Sequence, residues 1–477
     1  MKLHIVRLLL MALIVLPAIT SCYNYDDMEN VNGSDVSNYI NVTLAVSTSS
    51  STTRANLPQG GEDGDGREKG IDTRENAVDG VTLIFYQDVA NINATPAVAA
   101  ATTIAHAVYY TVELAPVDYV PRYGTHYPDE VYYTTGKREL TLPLSSKNTY
   151  RMLVVANADL TSQITPGTTT LADVRDMVLT KVYDGNGKNV NASKFVMSSE
   201  REAVIDFAYS TYDETTNSQT FQLENIHIER MAARIDYHAV GAVYSTEYDH
   251  NGYVYNVGTK DHFVLTSITP FNLNMDPGNG NEYIFKRTNG DMPYLAKEYT
   301  STWVIDPYTA SKTGEVHPTW MVNTLTTVES NLESNVDNSY KISMEAGQTG
   351  KLNVAGSDGI IIAYPKENTL RSDSRLYYHA TGIAFEGYYY TNNTKTGGER
   401  RVFYHYLRHQ GDAESYDALK SPLDKTATCG STTPMSYGVV RNNIYRVSIE
   451  GLSIEPKIKI KIEEEKWRHV DNPAIYI

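Results

Sequence analysis

The chain has 477 residues, 41% hydrophobic and 21% charged, so it is globular in composition and long enough for two domains of ordinary size. Its formal net charge of −16 argues against nucleic acid and against docking on an anionic membrane through a basic patch. Tyrosine is over-represented, with 37 Tyr against 9 Phe and 3 Trp, which suits strands that keep one face wet.

The first 22 residues, MKLHIVRLLLMALIVLPAITSC, read as an export signal. Lys2 and Arg7 form a basic start, and Leu8 to Leu16 form an apolar run too short to span a bilayer. The run closes on Ile19-Thr20-Ser21-Cys22, small residues before a cysteine, in the manner of a bacterial lipobox. Cys22 is the expected lipidation site, residues 1–21 the signal peptide and 22–54 a lipidated pro-segment. With Cys22 acylated, the other cysteine, Cys429, has no partner for a disulfide, and no zinc site could be built from cysteines.

After an acidic tether, Ile40, Val42, Leu44 and Val46 alternate with Asn41, Thr43 and Ala45, the period of a half-buried strand. Seven residues of Ser and Thr follow, then Arg54-Ala55, then a glycine-rich stretch holding Arg67 and Arg74 that reads as a loop. From Val78 onward short β-like runs dominate: VDGVTLIFY, AHAVYYTVELA, ELTLPL, YRMLVVANA, REAVIDFAY and FQLENIHIERMAARIDYHAV. One helix is expected to begin at Thr170, with Asp173 completing a capping box and Leu171, Val174 and Val178 at helical spacing. The second half continues with HFVLTSITPF, GIIIAYP, RLYYHATGIAFEGYYY and RRVFYHYLRH; AESYDALK reads as a helical turn. The last strong strand signals are GVVRNNIYRVSIEGLSI and Ile458-Lys459-Ile460-Lys461-Ile462. Many short strands with few helices predict an all-β chain of β-sandwiches, divided near residues 240–250 into domains over 55–241 and 242–477.

Catalytic and metal signals are weak. His405 and His409 have the spacing of a helical zinc pair but lie in a strand-like run without a neighbouring Glu. DGNGKNVNASKF places Phe195 where a calcium loop needs a bidentate Glu, so it reads as a turn. No G-x-S-x-G occurs, the carboxylates are scattered, and neither a cofactor nor an enzymatic activity is expected.

Four features resemble the fimbrillins of type V pili, nearest to the Mfa-type structural subunits of Bacteroidales short fimbriae. They are the lipobox at Cys22, the first strand running into Arg54-Ala55, IERMAARI at 228–235, and YGVVRNNIYRVSI at 437–449 followed by a terminal strand with Trp467. The resemblance implies two transthyretin-like β-sandwiches in tandem and a mechanism of assembly. A lipoprotein precursor at the outer membrane is cut by an Arg-specific surface protease, here after Arg54. The strand carrying Ile40, Val42, Leu44 and Val46 is displaced. A C-terminal strand of another copy, with Ile458, Ile460 and Ile462 as its apolar comb, takes its place in an extracellular fimbrium. Implied partners are further copies of the subunit, anchor and tip pilins, the protease, and host or bacterial receptors for adhesion. Accessory, tip or anchor roles in the same pilus stay open, as does a lipoprotein that binds glycans through its tyrosines. The long Pro- and Asp-rich insertion that some Mfa-type subunits carry before the last strand is absent here, where GLSIEPKIKI makes a short link.

Overall fold

A computed structural model of the chain describes residues 37–47, 75, 77–88, 101–114, 130–135, 137–140, 144, 148–188, 191–199, 202–276, 278–286, 305–334, 339–345, 359–408, 413–417, 423–430, 436–452 and 457–466. Cys22, Arg54, Ala55, Arg67, Arg74, His409 and Trp467 lie outside them. The protein is all-β: two 11-stranded sheets carry most of the described structure, with short pairs of two strands beside them.

The first sheet is built from β1 (Ser37–Ser47), β2 (Gly80–Gln87), β3 (Ile104–Thr111), β4 (Glu113–Leu114), β5 (Glu130–Thr134), β6 (Arg138–Glu139), β7 (Thr149–Ala156), β8 (Met197–Ser199), β9 (Ala203–Asp206), β10 (Thr211–Asp213) and β11 (Ser218–Arg230). Its order is β3-β2-β7-β8-β11-β1-β5-β4, with β9 on β7, β10 on β11 and β6 on β1. The 13-residue β11 serves three partners, β1 along Ser218 to His227, β10 along Ser218 to Thr220 and β8 along Ile228 to Arg230. The strand-like run VDGVTLIFY becomes β2, between β3 and β7. It is buried from Gly80 to Tyr86, which is why its apolar residues run almost without a break.

The second sheet comprises β12 (Arg234–His238), β13 (Val243–Ser245), β14 (Gly252–Val257), β15 (Asp261–Phe271), β16 (Ile342–Ser343), β17 (Gly359–Ala363), β18 (Gly382–Tyr390), β19 (Glu399–Tyr406), β20 (Ala413–Asp417), β21 (Asn443–Leu452) and β22 (Lys457–Lys466). Its order is β13-β14-β15-β18-β19-β20-β22-β21-β12-β17, with β16 on β15. The chain therefore passes from one sheet to the other at Met231-Ala232-Ala233, all fully buried. Each sheet has its own apolar core, Leu83, Phe85, Leu153, Val155, Phe221 and Leu223 in one and Tyr237, Phe263, Leu265, Phe385, Phe403 and Val447 in the other.

Two local expectations need correction. The helix at Thr170 forms with its capping box intact, Thr170 Oγ1 accepting from Asp173 N and Thr170 N donating to Asp173 Oδ2. As α1 it covers only Leu171–Arg175. Val178 leaves the helical period because Val178–Leu179 pairs with Glu282–Tyr283 of a distant segment. AESYDALK contains no helical turn among its described residues: Ala413–Asp417 is β20, held between β19 and β22. In both places backbone pairing with another strand outweighs a weak local preference. Two further helices are α2 (Leu325–Ser334), which buries Leu325, Val328 and Leu332, and α3 (Leu376–His379).

Candidate functional site

The first strand is interior. β1 runs parallel to β11, with Ile40 opposite Phe221 and Val42 opposite Leu223, and antiparallel to β5, from Thr43 opposite Thr134 to Ser47 opposite Glu130. A register shift between Val42 and Leu44 lets it follow both neighbours. Thr135 fastens the middle of the strand, since its hydroxyl accepts from Val42 N at 3.0 Å and its own N–H donates to Val42 O at 3.0 Å. Asn38 holds the start by donating from Nδ2 to Leu144 O and accepting at its carbonyl from Leu140 N. Ile40 and Val42 are both 0% exposed in the core of the first sheet. At ~1.5–3 kcal/mol per fully buried aliphatic side chain, these two contribute on the order of 3–6 kcal/mol of gross burial energy. Leu44 and Val46 are placed by backbone register opposite Tyr133 and Val131; their side chains lie outside the described residues.

The C-terminal comb is also interior, in the other sheet. β22 is antiparallel to both β21 and β20, and Ile460, 0% exposed, sits opposite Ile449 on one side and Ala413 on the other. Ile458 pairs with Leu452 and Ser415, and Ile462 with Val447; their side chains lie outside the described residues. Within one chain, then, the two combs do not meet. Each completes a sheet of its own: without β1 the ladder between β11 and β5 has no bridge, and without β22 that between β21 and β20 has none.

The two arginine motifs have a structural reason that the sequence alone does not display. Arg230 and Arg234, flanking the passage between sheets, are buried. Arg234 Nη1 meets Glu75 Oε2 at 3.1 Å and its Nη2 meets Asp236 Oδ2 at 2.7 Å, with all three side chains at zero exposure. Burial opposes the Arg234 charge, but Asp236 and Glu75 outweigh it and raise its pKa. Burial likewise pushes the Asp236 carboxyl up to about 6, with Arg234 pulling the other way. Arg230 Nε donates to Glu75 O at 2.9 Å, Arg230 N donates to Asn442 Oδ1 at 3.2 Å, and Tyr364 donates its hydroxyl to Glu75.

Arg441, immediately before β21, is the second node. Its Nη2 lies 2.9 Å from Glu367 Oε2 and 3.1 Å from Glu282 Oε1, and its Nη1 donates to Ile284 O at 3.0 Å. Burial, reinforced by Glu367 and opposed by Arg441, holds the Glu282 carboxyl well above its ordinary range. Asn442 N donates to Ala232 O, so the VVRNNIY motif clamps the passage between the sheets. Sequence reasoning missed the third participant, the segment Tyr364 to Leu370. There Lys366, Glu367, Asn368 and Thr369 are four successive polar residues, each at most 2% exposed. Lys366 Nζ donates to the carbonyls of Thr180, Asp276 and Gly280, binding a loop of the first half of the chain to the second sheet. The signal was visible only as a Lys-Glu pair separated by two residues from the buried GIIIA run.

No described group of histidines, cysteines and carboxylates could hold a metal ion. His405 is 3% exposed within β19, and burial, with the Arg408 charge adding to it, lowers its pKa to about 3. In the calcium-like DGNG segment Asp184–Gly185 pairs antiparallel with Ala192–Ser193, and Phe195 is in the core. Cys429 is buried and forms no disulfide among the described residues. No described helix is long and apolar enough to cross a membrane.

Fold and site together define an all-β protein whose first and last described strands are each inserted between two others. No family profile matches the chain, and no curated protein sequence matches it. Solved structures similar to it include the tip fimbrial protein Mfa3 from Porphyromonas gingivalis, with a C-terminal truncation. It is 12% identical with a TM-score of 0.37, over 90% of this chain and 100% of that one. Another is a fimbrilin from Porphyromonas gingivalis, 10% identical with a TM-score of 0.39, over 92% of this chain and 99% of that one. A third is a fimbrial assembly protein from Parabacteroides distasonis, 10% identical with a TM-score of 0.32, over 90% of this chain and 99% of that one.

Proposed function

We propose that this chain is a structural subunit of a cell-surface fimbria, exported as a lipoprotein on Cys22 and assembled by strand exchange after proteolysis at Arg54. The observation that carries the reading is the place of β1, an interior strand next to the chain's N-terminus, separated from β2 by a segment that contains Arg54, Arg67 and Arg74. Cutting that segment frees the strand from the chain while the covalent path from β2 to β22 stays intact. Its loss exposes a two-sided slot, the unpaired edge of β11 on one side and of β5 on the other, floored by the apolar residues that Ile40 and Val42 covered.

The occupant in this reading is β22 of a second copy. Its 10 residues match the 11 of β1 in length, and its Ile-Lys-Ile-Lys-Ile alternation presents an apolar comb with charged residues opposite. A donor from one copy and a slot in the next make a head-to-tail contact that does not close, the geometry of a filament. The two tandem units are read as transthyretin-like sandwiches. Further copies, anchor and tip pilins, an Arg-specific surface protease and an adhesion receptor are the partners, and an outer-membrane precursor gives rise to the extracellular fibre.

The test is N-terminal sequencing of protein shed from intact cells, combined with its size on a non-boiled gel. Ala55 at the N-terminus with a ladder of oligomers is expected. A lipidated Cys22 on a monomer overturns the stalk assignment and leaves an anchor subunit or a glycan-binding lipoprotein.

A further inference from the structure

The segment 305–312, which precedes α2, carries a lysine and an aspartate six residues apart. Both side chains have zero exposure, and Lys312 Nζ lies 2.6 Å from Asp306 Oδ2. The other described lysine–carboxylate pairs all keep a partly exposed lysine: Lys181, Lys194, Lys286, Lys341 and Lys395. Around this one contact the backbone is arranged in detail. Thr369 donates both its N–H and its hydroxyl to Asp306 Oδ2, each at 2.6 Å, and Tyr308 N donates to Oδ1 at 2.8 Å. Lys312 Nζ also donates to Thr369 O at 2.7 Å, and the ring centroid of Trp320 lies 5.1 Å away. Two backbone bonds hold the lysine stem: Lys312 N donates to Thr309 O, and Lys312 O accepts from the Ser374 hydroxyl.

The arrangement has the parts that amide formation needs: an amine pressed against a carboxyl group, donors converging on the carboxyl oxygens, and no bulk water. His379 is 1% exposed, and its pKa is lowered to about 4 by burial and then by the Lys312 charge, so the imidazole adds no competing positive charge to the region. Burial also lowers the pKa of Lys312, against the pull of Asp306 and Glu367, so the ammonium gives up a proton more readily than an exposed lysine does.

We propose that Lys312 and Asp306 are a site of self-modification, joined by an amide between Nζ and Cγ. Lys312 Nζ passes a proton across the 2.6 Å contact to the Asp306 carboxylate, its nitrogen lone pair attacks Cγ of the acid so formed, and the Thr369 N–H and O–H hold the negative oxygen of the tetrahedral species. Collapse breaks one C–O bond. That oxygen leaves as water with two of the three ammonium protons, and the third remains on the amide nitrogen. Ammonium plus carboxylate gives amide plus water, so charge and atoms balance without a co-reactant. Exclusion of water from the product disfavours the reverse reaction. The link closes a covalent loop within the segment 305–312, which hydrogen bonds alone join to Thr369 of the buried polar run, and it stands whether or not the chain is a fibre subunit.

The test is mass spectrometry of the folded full chain after complete denaturation and trypsin digestion, since an ion pair dissolves on denaturation and an amide does not. The expected result is one peptide spanning 298–341, uncut at Lys312 and one water lighter than its sequence. In Lys312→Arg, which retains the positive charge, the same region is expected at its full sequence mass. Separate wild-type peptides 298–312 and 313–341 at full mass overturn the proposal and leave a buried ion pair. Because the deciding measurement is on the wild-type chain, a variant that fails to fold does not blunt it.

Discussion

Ile40→Ala addresses the first strand most directly. Ile40 is 0% exposed, opposite Phe221 on β11 and Arg138 on β6, in the core of the first sheet. Truncating a fully buried isoleucine costs about 2–5 kcal/mol, the transfer energy of the lost methyl groups plus the cavity left behind. If β1 stays bound after the chain is cut at Arg54, that loss weakens its hold by a factor of roughly 30 to several thousand, at about 1.4 kcal/mol per tenfold. The assay follows a fluorophore on the N-terminal fragment of the cut protein during gel filtration, with wild type and variant in parallel. Faster release from the variant is expected, with a matching rise in oligomer formation once the slot is vacant. Equal release rates would refute the view that burial at Ile40 retains the strand. Faster release without assembly would keep the packing argument and sink strand exchange.

Arg441→Met removes one cation from a site that holds Glu282 and Glu367 at zero exposure, and breaking such a group from one side costs about 3–5 kcal/mol. A chemical denaturation midpoint well below wild type is expected, with recovery when Glu367→Gln is added. His405 has its folded pKa lowered from 6.5 to about 3 by burial, so the stability it contributes is fully present above pH 6.5 and is lost as pH falls toward 3. Each unit in that window costs about 1.4 kcal/mol from this residue, and His405→Phe flattens the corresponding part of a urea-midpoint profile between pH 7 and 4. Thr170→Ala removes the capping box of α1 and is expected to lower stability by about 1 kcal/mol, read from thermal melts. An unchanged melting temperature would mean that the pairing of Val178–Leu179 with Glu282–Tyr283 holds this turn without its cap.

The sequence by itself determined features whose physics is local. The alternation in Ile40 to Val46 and in Ile458 to Ile462 specified strands, because side chains on a pleated backbone point to opposite faces in turn. Thr170 and Asp173 specified a helix start, because each satisfies the other's backbone donor. The tertiary structure alone decided what depends on residues far apart in the chain. It placed β1 inside a sheet, between strands that begin at positions 130 and 218, and it turned Ala413–Asp417 into a strand by offering ladders on both sides. It shortened α1 at Arg175 because a segment from 282–283 was there to pair. Above all, it buried Lys366, Glu367, Asn368 and Thr369, which hydropathy assigns to the surface. A charged run can lie in the interior when its charges meet partners, and those partners, from Thr180 to Arg441, come together only when the chain is folded.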